Sequence, residues 1–95
     1  MCILLWANEG RRDGLTAYED QVLRIVHDHA GTVVSRVRTT GSSDGPDEVQ
    51  VLQFPNDEAL ANYLADPRRT ALAAERDRVV ARTERYDGQL LPPVV

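Results

Sequence analysis

The chain has 95 residues, 42% of them hydrophobic and 27% charged, with a formal net charge of −4. That length suits one domain over residues 1–95 with no room for a second, and the acidic balance argues against a nucleic-acid binder that tracks phosphates. All 11 basic residues are arginine, which excludes Schiff-base chemistry and the lysine of a phosphate-binding loop, and no run of about 18 apolar residues suggests a membrane helix.

Residues 2–8 read as a strand covered on both sides, with Ile3, Leu5 and Ala7 on one face and Leu4 and Trp6 on the other. The same stretch lacks the basic flank of a signal peptide, and Asn8, Glu9 and Arg11 cut its apolar run short. Cys2 is the only cysteine, so no internal disulfide or cysteine-cluster metal site forms. Both features point to the cytoplasm. After a polar turn over Glu9–Gly14, Thr16-Ala17-Tyr18-Glu19 matches a capping box. The spacing predicts a helix to about Ala30, with Tyr18, Val22, Ile25 and Val26 as its apolar stripe and Gly31 at the left-handed position after it.

Residues 32–39 are rich in β-branched side chains and predict a second strand. Gly41 to Pro46 predicts a mobile hairpin loop. Glu48–Phe54 predicts a third strand, with Val49, Val51 and Gln53 on one face and Gln50, Leu52 and Phe54 on the other. Pro55 ends it, and Asn56 or Asp57 caps a short helix. Asp66-Pro67 restarts the helix with aspartate at the cap and proline at the first helical position. That second piece is predicted to run to about Glu84, followed by a short strand over Tyr86–Leu91.

The order β-α-β-β-α-β has one common compact solution, an α+β ferredoxin-like fold: a four-stranded antiparallel sheet with both helices on one face. The other face is left bare, and a second copy is its simplest cover, giving a homodimer. A monomer with an exposed ligand groove is the alternative.

Phe54-Pro55-Asn56-Asp57-Glu58-Ala59, then Tyr63-Leu64, Asp66-Pro67 and the arginine-rich ALAAERDRVVARTE, carry a sharper likeness. With His29-Ala30-Gly31 before a valine-rich strand, the chain resembles the dimeric α+β barrel superfamily over nearly its whole length. It is similar in particular to a small bacterial branch of unknown function related to the antibiotic-biosynthesis monooxygenases. The resemblance implies two sheets packed face to face and a pocket between sheet and helices in each subunit. Relatives in the superfamily include cofactor-free monooxygenases, haem-degrading oxygenases, muconolactone isomerases, aromatic polyketide cyclases and members without known activity. The resemblance suits a cofactor-independent oxygenase, isomerase or cyclase acting on a small aromatic or enolisable substrate, and it hands over no catalytic residue. Those monooxygenases tend to place tryptophan and asparagine later in the chain, whereas Trp6 and Asn8 lie on the first strand here.

The residues themselves offer two catalytic candidates. On a helical wheel His29 falls about 20° from Tyr18 and within the apolar stripe, where an imidazole is placed to act as a general base or as a single ligand to a metal or haem. The other reading is a histidine held by the backbone and the dipole at a helix end. Arg76 lies in the sector of Leu72, Val79, Val80 and Thr83, where a guanidinium is costly unless paired. It either binds a ligand carboxylate or phenolate or stabilises an enolate, or it pairs with an acid such as Glu75 or snorkels to the rim. Trp6 and Asn8 share a strand face and suit stacking on, and orienting, an aromatic ligand if that face meets the helices. If it meets a partner sheet, they are dimer-core residues. Tyr18 and Tyr63 on helix core faces are further ligand-contact candidates. His27-Asp28-His29 does not make a metal site, because residues two apart on a helix point about 200° apart. No cofactor is implied. Arg36 and Arg38 read as a solvent-edge or dimer-rim pair, and Arg78, Arg82 and Arg85 as a solvated outer helix face. A non-catalytic binder of a small hydrophobic acid and a closed structural dimer remain as alternatives to an enzyme.

Overall fold

The computed structural model describes residues 1–41 and 44–94. Ser42 and Ser43, in the predicted hairpin loop, lie outside them. The elements are β1 (Cys2–Ala7), α1 (Arg12–Leu23), a single 3-10 turn (Val26–His29), β2 (Thr32–Arg38), β3 (Glu48–Gln53), α2 (Asp57–Leu64), α3 (Pro67–Thr70), α4 (Ala73–Val79) and β4 (Val80–Tyr86). The four strands form one antiparallel sheet in the order β2-β3-β1-β4. The helices pack on one of its faces, as the ferredoxin-like expectation requires.

Alternation along the strands sorts the side chains. Ile3, Leu5 and Ala7 of β1 pack into the core, and Glu48, Gln50 and Leu52 of β3 are buried on the same side. The opposite face carries Cys2, Leu4 and Trp6 opposite Tyr86, Glu84 and Arg82, and Val49 and Val51 opposite Val37 and Ser35. Two core clusters hold the helices down. Leu5, Leu15, Tyr18, Val22 and Val79 form the first, and Leu23, Ile25, Val26, Leu52 and Tyr63 the second. The predicted stripe Tyr18, Val22, Ile25 and Val26 is buried throughout.

Three boundaries differ from expectation, each for a local reason. Helix α1 begins at Arg12, one turn before the proposed cap, and no side chain caps it. Thr16 and Glu19 are therefore mid-helix, not a capping box. The helix ends at Leu23 and the chain tightens into the 3-10 turn, which puts the left-handed conformation on Ala30, φ 59°, at a cost of about 1 kcal/mol. Gly31 is fixed by crowding instead: a Cβ there would lie 2.6 Å from Val26 Cγ1 and 2.7 Å from Phe54 Cε1. The third difference is at the end of the chain, where α4 stops at Val79 and β4 covers Val80–Tyr86, not 86–91. Asn56 and Asp66 cap as expected, accepting from Ala59 N at 2.8 Å and Arg68 N at 2.9 Å.

The earlier strand has the same effect on Arg82 and Arg85, which sit on opposite faces of β4 and not on an outer helix face. Arg36 and Arg38 lie on β2, at one edge of the sheet. A bulge between Val33 and Ser35 turns both toward α1, where Arg36 binds Glu48 and Asp20 and Arg38 binds Asp13.

Candidate functional site

A cavity of about 200 Å³ lies between the sheet and the helices. Its floor is the helix-facing row of three strands: Ile3 and Leu5, Gln50 and Leu52, and Thr83 and Arg85. Glu19 of α1, Leu60, Tyr63 and Leu64 of α2, Arg69 of α3 and Arg76 of α4 close it from above, with Met1 at one end. The lining draws on both core clusters, which share Ile3. One part of the wall is aliphatic. The rest carries three guanidinium groups, one carboxyl, one amide and one hydroxyl.

Glu19 is 6% exposed. Burial raises its carboxyl above the ordinary range, the Gln50 amide pulls it back, Glu48 raises it further, and Arg36 and Arg69 lower it. Gln50 also donates to Glu48 Oε1 at 3.0 Å, so one amide serves two buried carboxyl groups. Glu48 has its own cation, because Arg36 binds it while also reaching Asp20 and the Thr16 carbonyl. Glu19 has no salt bridge among the described residues. Arg69 stands over the Tyr63 ring, 5.2 Å from its centroid, and its buried Nε has no hydrogen-bond partner among the described residues. Arg76 donates to Thr83 Oγ1 at 3.3 Å, while Glu75 is taken by Arg78 at 2.8 Å. The expected Glu75–Arg76 pair does not form. Arg85 reaches Asp87 at 3.2 Å.

Of the residues singled out in the sequence, Arg76 and Tyr63 line this cavity. Tyr63 presents its ring, since its hydroxyl, raised chiefly by burial, donates to Val22 O at 3.2 Å. Tyr18 is buried in the adjoining core. Burial raises its phenol too, with Arg69 and Arg76 among the charges acting on it. His29 lies elsewhere. Its Nε2 meets Asp66 Oδ2 at 2.8 Å, and its ring stands edge-on to Tyr63 at 6.2 Å. Asp66 is held far below the usual carboxylate range by Arg68, then by His29.

Trp6 is on the face away from the helices, under Arg82 at 4.5 Å, with its indole donating to Asp44 O at 3.2 Å. The Asn8 amide donates to Asp77 O and Arg78 O, at 3.2 and 3.0 Å, tying the end of β1 to α4. One ligand therefore does not reach His29, Trp6 and Arg76 together. Glu19, Gln50, Arg69 and Arg85 were not singled out as site residues. They come from four elements, and only the fold brings them to one space. Among the described residues no group of three His, Cys, Asp or Glu side chains is arranged to hold a metal, and no helix is long and apolar enough to cross a membrane.

No family model matches the chain, and no curated protein matches it. Solved structures do. The chain is similar to methylated RPA0582 protein with a TM-score of 0.73 and 19% identity, over 97% of this chain and 79% of that one. It is similar also to the RPA0582 protein of unknown function from Rhodopseudomonas palustris, with a TM-score of 0.72 and 18% identity, over 97% of this chain and 81% of that one. At such identity the likeness concerns the fold.

Proposed function

We propose that this domain binds a small, flat organic acid in the cavity between its sheet and its helices. One observation carries the reading: Arg69, Arg76 and Arg85 all line one partly apolar space, and the buried Arg69 Nε has no hydrogen-bond partner among the described residues. Guanidinium groups in such a setting match a carboxylate or phenolate. The volume fits an aromatic ring with one acidic group, since a cavity of roughly 150 Å³ already holds benzene. The oxygenase, isomerase and cyclase activities implied by the resemblance to antibiotic-biosynthesis monooxygenases each need an enclosed flat substrate and positive charge for its anion. The arginines lining this cavity support that reading.

Thermal unfolding and calorimetry with benzoate, salicylate and cinnamate test the reading. Saturating acid is expected to raise Tm by about 4 °C. Arg76→Ala and Arg69→Ala are each expected to weaken carboxylate binding by about tenfold or more, the value of a charged hydrogen bond, and to leave the weak binding of benzamide unchanged. No shift with any acid, or equal shifts for acids and amides, overturns it.

A second observation favours a homodimer, in a cytoplasmic setting that suits the free thiol of Cys2. Leu4, Val49 and Val51 lie on the face away from the helices, beside Val37 and Tyr86, which are 53% and 57% exposed. A second copy packed sheet to sheet, in the manner of dimeric α+β barrels, covers them. Sedimentation is expected to give a dimer at micromolar concentration, and Val49→Arg a folded monomer. A monomeric wild-type chain at that concentration removes the dimer from the proposal.

A further inference from the structure

Among the described residues, Glu19 is the one buried acid whose place the packing does not explain. It caps no helix, and the nearby cation that pairs with a buried acid, Arg36, is engaged by Glu48 and Asp20. An unpaired carboxylate costs stability wherever water is excluded. Its neighbours on the cavity wall are Arg76 and Arg69, whose Nη1 reaches Leu64 O while its buried Nε has no partner among the described residues. One space thus brings together a proton acceptor on α1 and guanidinium donors on α3 and α4. That pairing of a base with anion stabilisers marks a site for proton abstraction next to a carbonyl.

Resting on the organic-acid reading of the cavity, we infer that Glu19 transfers a proton to and from carbon, and that the ligand is an enolisable aromatic acid such as a 2-oxo acid. Arg76 and Arg69 hold the carboxylate and the carbonyl oxygen. The Glu19 carboxylate takes a proton from the carbon beside the carbonyl. The C–H pair becomes the C=C of the enolate, the C=O pair moves onto oxygen, and the arginines neutralise the charge that develops there. Glu19 then returns its proton to the oxygen, giving the enol, or to the carbon. The step is a tautomerisation: atoms and charge balance, and no oxidant or cofactor takes part. Burial supports the assignment, because it raises the proton affinity of Glu19 toward that of the carbon acid it must deprotonate.

The test follows the C3 protons of phenylpyruvate in D2O by NMR with the whole chain, with binding measured in parallel by calorimetry. The wild type is expected to speed exchange on the order of 100-fold over buffer. Glu19→Gln is expected to keep the affinity and fall to the buffer rate, and Glu19→Asp, which retains a carboxyl, to recover part of the acceleration. Melting curves establish that each variant is folded. A Glu19→Gln protein as fast as the wild type overturns the inference, as does a wild type that binds phenylpyruvate without accelerating exchange. Binding of benzoate with no acceleration sinks this inference alone, whereas no binding of any acid sinks the organic-acid reading with it.

Discussion

Two polar clusters sit in the helix layer of the same sheet, and they differ in how completely they are paired. Around Asp66, every charge has an answer: His29 Nε2 and Arg68 Nη2 meet Oδ2 at 2.8 and 2.9 Å, while the Arg68 backbone and Nε meet Oδ1 at 2.9 and 3.1 Å. The outer arm of Arg68 goes to Asp28. Around the cavity, and among the described residues, Glu19 has no salt bridge, Arg69 Nε has no acceptor and Gln50 is divided between two acids. A closed network fixes the junction of the 3-10 turn with α2 and α3. A network left incomplete around a space retains capacity for a ligand. Histidine, the residue type with the stronger chemical reputation, belongs to the closed one.

The comparison breaks most visibly at Asp66. Asp66→Ala removes the α3 cap, the partner of His29 and two bonds of Arg68 at once. Tm is expected to fall by about 8 °C, the scale set by the specific unfolding entropy of a domain this size, while benzoate affinity is unchanged. Calorimetric melting with a parallel binding titration checks both halves. A variant that loses binding along with stability would couple the corner to the cavity and end the separation drawn between them.

Glu19 is expected to behave in the opposite sense. Glu19→Met replaces an unpaired buried carboxyl with an apolar side chain of similar length, and such replacements often stabilise. A gain of about 1 kcal/mol, read as about 5 °C in Tm, is expected with loss of proton exchange. A destabilised Glu19→Met would mean that the acid serves the fold after all.

Most of the fold was readable because its signals are local. Alternation in β1 and β3, the Asn56 and Asp66 caps and Pro67 act within a few residues of chain. The last strand was misplaced because Arg76 to Glu84 alternates charge at helical spacing. The β-branched Val79, Val80 and Thr83 that favour a strand are few among them. Glu19 was hidden by a pattern match: threonine with glutamate three residues on is a helix-start signal, but Gly10, with φ at +73°, turns the chain early and the helix starts at Arg12. His29 drew attention by falling on the apolar stripe of an extended helix, although the chain leaves α-helical geometry before reaching it. Arg69 and Arg85 carry no local mark at all. Their meeting with Arg76 depends on α3, α4 and β4 folding over one stretch of sheet.

The smallest expected effect separates the two carboxyl groups by sign. Asp66 is depressed from its ordinary 3.8, so its contribution to stability is complete above that value and is lost as pH falls below it. Glu19 is raised from 4.5, so its neutral form favours the folded state. Its contribution is complete below 4.5 and is lost as pH rises through the higher, folded value. Melting curves between pH 3 and 8 therefore distinguish the variants. Asp66→Asn, compared with the wild type, flattens the acid limb by about 2 °C, and Glu19→Gln flattens the decline above pH 4.5 by a similar amount. Each variant should leave the other limb in place. If Glu19→Gln flattens the acid limb instead, Glu19 is ionised and paired in the folded protein, and the cavity is as fully compensated as the corner it is contrasted with.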